Sequence, residues 1–172
     1  MNFTEKTLNK NYIHKGKILN LRCDDVVLPD GNTAIREIVE HSGGSCIYVE
    51  KDDCVYLVKQ FRYAYGVEMW ELPAGKLNKG EDPMQTALRE LEEEAGLKAQ
   101  TATLLFEVYP SPGYTDEIIR IYQVTDFVES EKHLDEDEFL TGKWIQKQTL
   151  KQMINNGEIK DGKTLIALLR LL

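Results

Sequence analysis

Residues 75–97 read GKLNKGEDPMQTALRELEEEAGL, a glycine-opened loop that runs into one helix and stops at a second glycine. Asp82 before Pro83 is a helix start, because an Asp side chain accepts from the first free N–H groups and Pro already has helical φ. Gly96 suits the left-handed residue that closes a helix. At roughly 100° per residue, Met84, Ala87, Leu88, Leu91 and Ala95 fall on one apolar stripe that faces a core. Glu90, Glu93 and Glu94 crowd the sector beside that stripe, Glu92 lies on the other flank, and Arg89 stands one turn before Glu93.

Carboxylates at i, i+3 and i+4 repel one another by a few tenths of a kcal/mol per pair when solvated, and by more when partly dry. Two readings of the cluster follow. An acidic helix face is commonly just a solvated face. The other reading is that a hard divalent cation neutralises it, since carboxylate oxygens are what Mg²⁺ prefers and it keeps waters that can touch a phosphate. Spacing alone does not choose between them.

Outward from the helix, the chain alternates strands and turns. GKILNLRCDDVVL and TAIREIVEH flank Pro29-Asp30-Gly31-Asn32 and predict a hairpin. SCIYVE and CVYLVKQF, joined across Lys51-Asp52-Asp53, predict a second antiparallel pair. EMWELPAGK leads strand-like into the loop. Beyond the helix, TATLLFEVY and EIIRIYQVTDF read as strands around the turn SPGYTD, the acidic run from Glu129 to Glu138 as a loop, KWIQ as a short strand, and LKQMINN and KTLIALLRLL as helices. Mixed strands with a central and a C-terminal helix predict an α+β fold built as an α/β/α sandwich with a mixed sheet. No repeat or low-complexity linker divides it.

The 172 residues suit one ordinary domain with an extension, and 42% hydrophobic with 29% charged residues argue against disorder. The balance of 21 basic and 29 acidic residues, a net charge of −8, excludes an extended nucleic-acid or acidic-membrane footprint. No apolar run approaches the roughly 20 residues of a membrane span. The N-terminal MNFTEKTLNKNYIHKGK has no secretory apolar centre. Cys23, Cys46 and Cys54 form no CxxC pair and read as reduced thiols, so a cytoplasmic protein is expected. His14, His41 and His133 are scattered without metal spacing.

Gly75, Glu81, Arg89-Glu90-Leu91, Glu93-Glu94 and Gly96-Leu97 match every specified position of the Nudix box. That box is the loop–helix–loop signature of hydrolases acting on nucleoside diphosphates linked to another moiety. The order of the flanking strands also resembles the Nudix sandwich. Ser111-Pro112-Gly113 with Glu117, the early Val58-Lys59-Gln60-Phe61-Arg62 and the C-terminal Ile159-Lys160-Asp161-Gly162-Lys163-Thr164 are similar to the ADP-ribose pyrophosphatase branch. The resemblance thereby extends from about residue 16 to the end.

The resemblance implies roles residue by residue. Glu90, Glu93 and Glu94 hold catalytic Mg²⁺, with Mn²⁺ as a substitute, and the carbonyl of Ala74 completes the set. Glu81 helps arrange the site. Arg89 orients Glu93 by ion pairing. A late catalytic glutamate comes from the acidic loop Asp135-Glu136-Asp137-Glu138, where Glu138 and then Glu136 are the candidates. Arg62 contacts the substrate phosphates or terminal ribose. Arg36 and Glu37 reach a partner subunit's site, because this branch dimerises through its N-terminal strands. Residues 1–42 are accordingly expected as a β extension for homodimer formation, and 43–172 as the Nudix domain. Gly113 and Glu117 belong to the expected substrate contacts. Trp70 and Glu71, immediately before the loop, are core or pocket, with Glu71 counted among those contacts.

The activity so implied is Mg²⁺-dependent hydrolysis of ADP-ribose to AMP and ribose 5-phosphate. Gly162 follows the related GDP-mannose pyrophosphatases instead, whereas Tyr114-Thr115-Asp116-Glu117 looks like the ADP-ribose enzymes. Another nucleoside diphosphate sugar is therefore an alternative substrate. A non-catalytic Nudix-fold sensor of ADP-ribose is the other alternative, against which the intact Glu90, Glu93 and Glu94 speak.

Overall fold

The computed structural model describes residues 2–134, 136 and 138–172, so Asp135 and Asp137 of the acidic loop lie outside the described residues. The chain divides into two compact units, residues 1–43 with 109–118, and residues 44–108 with 119–172.

The first unit is an antiparallel sheet of β1 (Lys6–Asn9), β2 (Tyr12–Lys15), β3 (Leu19–Val27) and β4 (Thr33–His41), with β3 at its centre. The expected hairpin is β3–β4, paired from Leu19↔His41 to Val27↔Thr33. Asp30 folds its turn by accepting from the Asn32 N–H at 3.0 Å, and Gly31 supplies the φ of 89° that the turn needs. The stretch expected as a plain turn, SPGYTD, does more than reverse the chain. The Val39 N–H donates to the Tyr114 carbonyl at 2.7 Å and the Asp116 N–H to the Val39 carbonyl at 3.2 Å, so 114–116 lies parallel beside β4.

The second unit contains β5 (Gly44–Lys51), β6 (Cys54–Arg62), β7 (Val67–Glu71), β8 (Ala74–Lys76), α1 (Pro83–Glu90), β9 (Leu97–Lys98), β10 (Thr103–Val108), β11 (Ile119–Val124), β12 (Val128–Glu129), β13 (Leu140–Gln146), α2 (Lys147–Asn155) and α3 (Gly162–Leu171). Its main sheet runs β10-β11-β5-β6-β13, with β11–β5 parallel and the other neighbours antiparallel. Period-two burial divides the core. Cys46, Tyr48, Val55, Leu57 and Ile121 face α2 and α3, while Ile47, Val49, Tyr56, Val58 and Tyr122 face Ala87, Leu91 and Ala95. Helices on both faces of a mixed sheet make the expected sandwich.

Two local expectations are modified. β5 and β6 meet only at Glu50↔Val55 and Lys51↔Cys54, beside a turn where Asp52 and Asp53 have φ of 50° and 60°. The strands then part because each takes another partner: β8 lies on Gly44–Cys46 and β7 on Val58–Arg62. The segment between β7 and β8 enters the opening, and the Ile47 N–H donates to the Pro73 carbonyl at 3.0 Å. The single helix read from 83 to 95 is α-helical only to Glu90 and continues as a π-helical turn over Leu91–Ala95. Asp82 caps the start by accepting from the Met84 and Gln85 N–H groups, and Gly96 ends it at φ 66°. Among the described residues no helix is long and apolar enough to cross a membrane, and the three cysteines are free thiols.

Candidate active site

The chemistry gathers where β5 and β6 part. Pro73-Ala74-Gly75 enters that opening, and the α1 helix with its π turn lays Glu90 and Glu94 against it. The Ala74 N–H donates to Glu94 Oε2 at 2.9 Å. Gly75 is dictated by contact, since a Cβ there would overlap the Glu90 carboxylate. Glu90 and Glu94 retain only 6% and 2% of their exposure, which is unusual for carboxylates with so little positive charge in direct contact.

Burial sets their protonation. Desolvation pushes Glu90 up to about 7 against the pull of Arg89, and the charges of Glu93 and Glu138 push the same way. Desolvation likewise takes Glu94 up to about 8, opposed by the Ala74 N–H and reinforced by the charges of Glu90 and Glu138. Glu138 therefore lies within electrostatic reach of both buried carboxylates. Glu136 is exposed.

Arg89 is the organiser. Its guanidinium meets Glu81 at 3.0 Å, Glu90 at 2.7 Å and Glu93 at 2.7 Å. The expected pairing of Arg89 with Glu93 is present, and one arginine spans two further carboxylates, which spacing along the helix did not disclose. Bonds from Arg89, with the Asn78 N–H, hold Glu81 down at about 2. Glu92 faces away, bonded to Lys98 at 3.0 Å and to the Ser130 hydroxyl at 2.8 Å.

Do these residues fit a divalent cation? Among the described residues, no three acidic, histidine or cysteine side chains already converge on one point in coordinating geometry. The donors are nevertheless the right kind. Among the described residues, Glu94 is buried with a neighbouring carboxylate and no cation in hydrogen-bond contact, Glu90 shares its one arginine with Glu81 and Glu93, and hard oxygen donors suit Mg²⁺ or Mn²⁺. A doubly charged ion among them would offset the desolvation, and the smaller mutual repulsion, that raise their protonation points. Glu90, Glu93 and Glu94 are the side chains that fit.

A second charged group adjoins them. Arg62 binds Glu71 fork-to-fork through Nε and Nη2, both at 2.6 Å, and Lys163 Nζ reaches the same carboxylate at 2.5 Å and Asp161 at 3.0 Å. Burial alone would raise the Glu71 carboxyl, yet the Arg62 bonds and the Lys163 charge hold it below the usual range. Glu71 is 1% exposed, so of its two expected settings it is a buried ion-pair centre; Trp70 is half-buried. Lys163 and Asp161 received no site role from the sequence. A signal was present: a lysine in the first turn of an apolar helix opposes the helix dipole and calls for carboxylate partners.

The remaining expected residues belong to the first unit. Arg36 is engaged by Glu5, at 2.9 Å from Nε and 2.5 Å from Nη2. Glu37 is exposed on β4, and Gly113 sits in an exposed turn with nothing near its missing Cβ. Glu117 Oε1 lies 3.3 Å from His41 Nδ1, an atom that already accepts from the Gly43 N–H at 3.1 Å.

Comparison with known proteins adds to this geometry. The NUDIX domain matches residues 33–168, and the nucleoside diphosphate sugar hydrolase N-terminal domain matches residues 5–39. The chain is 40% identical over 167 residues to the ADP-ribose pyrophosphatase of Bacillus subtilis (strain 168), covering 95% of this chain and 90% of that protein. It is 41% identical over 168 residues to the methanol dehydrogenase activator of Bacillus methanolicus, covering 96% and 91%. A solved structure described as an ADP compounds hydrolase superposes with a TM-score of 0.85 over 98% of this chain and 93% of its own, at 19% identity, a likeness of fold.

Proposed function

The chain belongs to the Nudix hydrolase family, and on that premise we propose that it hydrolyses the pyrophosphate bond of ADP-ribose, with Mg²⁺, to AMP and ribose 5-phosphate. The observation that carries the reading is the pair Glu90 and Glu94. They are buried beside the Pro73–Gly75 loop, and their charge is unfavourable there until a cation joins them.

Glu90, Glu93 and Glu94 would hold the metal, with the Ala74 carbonyl as a further oxygen. When bound, Mg²⁺ neutralises pyrophosphate oxygens and makes attached water more acidic. Arg89 keeps Glu93 and Glu90 aimed by its ion pairs. Glu138, close enough for its charge to be felt at both buried carboxylates, takes the proton of the attacking water. Arg62 presents to the substrate phosphates the guanidinium edge that Glu71 leaves free. Gly113 and Glu117 are further candidate substrate contacts, and Arg36 and Glu37 reach the partner subunit's site in a homodimer formed through the N-terminal strands. That last reading is supported by the solvent-facing Leu8, Ile13 and Ile35 of the first unit.

A second substrate has a specific observation behind it: Gly162 matches the GDP-mannose enzymes, and the N-terminal match is to nucleoside diphosphate sugar hydrolases at large. The deciding experiment is a panel of ADP-ribose, GDP-mannose and UDP-glucose, scored by kcat/KM with Mg²⁺ and with chelator. ADP-ribose is expected to lead and chelator to abolish product. Tight ADP-ribose binding with no AMP released would make the protein a sensor instead.

A further inference from the structure

Lys163 is almost wholly buried, with 10% of its side chain exposed, and among the described residues its ammonium meets two carboxylates, Glu71 and Asp161. A buried ammonium costs several kcal/mol unless it is paired, so a lysine kept at this point has a task beyond filling space. Its helix explains its position. Asp161 caps α3 by accepting from the Thr164 N–H at 3.0 Å and the Thr164 hydroxyl at 2.6 Å. The Thr164 hydroxyl oxygen in turn accepts from the Leu72 N–H at 2.9 Å. One helical turn thereby grips two consecutive residues, the Glu71 carboxylate through Lys163 and the Leu72 backbone through Thr164.

Glu71 spends one oxygen wholly on Arg62 and shares the other between Arg62 and Lys163. The Arg62 bonds use Nε and Nη2 and leave Nη1 without a part in the fork. Arg62 has 41% of its side chain exposed, whereas Glu71 has 1%. The row Arg62–Glu71–Lys163–Asp161 thus alternates in sign about the buried Glu71 and is neutral overall.

We propose that Lys163 is a positioning residue for substrate binding, anchoring Glu71 so that Arg62 is held with its free edge toward the incoming phosphates. The inference rests on the proposed pyrophosphatase reading. Lys163 touches no substrate atom; without its charge, Glu71 is held by Arg62 alone and the guanidinium is drawn inward. Ground-state binding weakens while Glu90, Glu93 and Glu94 keep their places.

The test measures kcat and KM for ADP-ribose with saturating Mg²⁺ in the wild-type protein, Lys163→Gln, Lys163→Arg and the double variant Glu71→Gln/Lys163→Gln. Lys163→Gln is expected to raise KM about tenfold with kcat within about twofold, the signature of lost uniform binding. Lys163→Arg should recover part of the loss. The double variant removes both charges together and so spares folding, as its thermal midpoint will report; its KM should stay at least as high as in Lys163→Gln. A fall in kcat at unchanged KM, an unaltered KM, or a double variant restored to wild-type KM would each overturn the proposal. A wild-type protein inactive on every nucleoside diphosphate sugar would sink the pyrophosphatase reading instead, so the two failures are separable.

Discussion

The carboxylate of Glu90 lies so close over Gly75 that the glycine has no room for a side chain. The two residues are fifteen positions apart in sequence, and their contact seats β8 on the α1 helix. Gly75→Ala should therefore act through Glu90. The methyl group displaces the carboxylate, and if Glu90 is the metal ligand proposed above, turnover should fall about a hundredfold or more. Titration of Mn²⁺ by electron paramagnetic resonance checks the cause, and unchanged ion affinity would exclude it.

Glu94→Gln separates ligand from scaffold. The amide is nearly isosteric and can still accept from the Ala74 N–H, so the fold holds. Turnover should drop by orders of magnitude in the steady-state assay. The thermal midpoint of the metal-free variant at alkaline pH should match or exceed the wild type, because an ionised, desolvated carboxylate has been removed.

Stability should depend on pH with a definite sign. Glu90 and Glu94 titrate in the folded protein at about 7 and about 8, above the ordinary 4.5. The native state thus binds more protons than the unfolded chain between those values. Their favourable contribution is present below the ordinary value and is lost as pH rises through 7 and 8. In calorimetry, the metal-free midpoint should decline over that window. Glu90→Gln/Glu94→Gln should flatten the decline, and Mg²⁺ should offset it; an equal slope in the double variant would refute the assignment.

The two acidic-loop candidates should part in kinetics. Glu138, whose charge reaches Glu90 and Glu94, is expected to lose kcat on change to Gln by a factor of about a hundred to ten thousand, the scale of general-base catalysis, with KM little altered. Glu136 is exposed, and Glu136→Gln should stay within about threefold of wild type. Matched losses in the two variants would move the base elsewhere.

Some of this was legible from one strand of text. Asp82-Pro83 and Gly96 bound the helix and the apolar period chose its buried face, because caps and periodicity are local; the carboxylates at i, i+3 and i+4 left a solvated face and a cation site both open until the surrounding residues matched the Nudix box. The Pro29–Asn32 hairpin and the strand alternation were legible for the same reason.

Tertiary structure alone decided the rest. Hydrophobic alternation cannot say which partner a strand takes, so the parting of β5 from β6 that admits Pro73–Gly75 was hidden until β7 and β8 claimed the two edges. Nor could it show 114–116 running beside β4, the fork of Arg89 across Glu81, or Lys163 meeting Glu71 from the far end of the chain. Charges find such partners through space, and a buried charge is tolerable only where the completed fold brings it an opposite one.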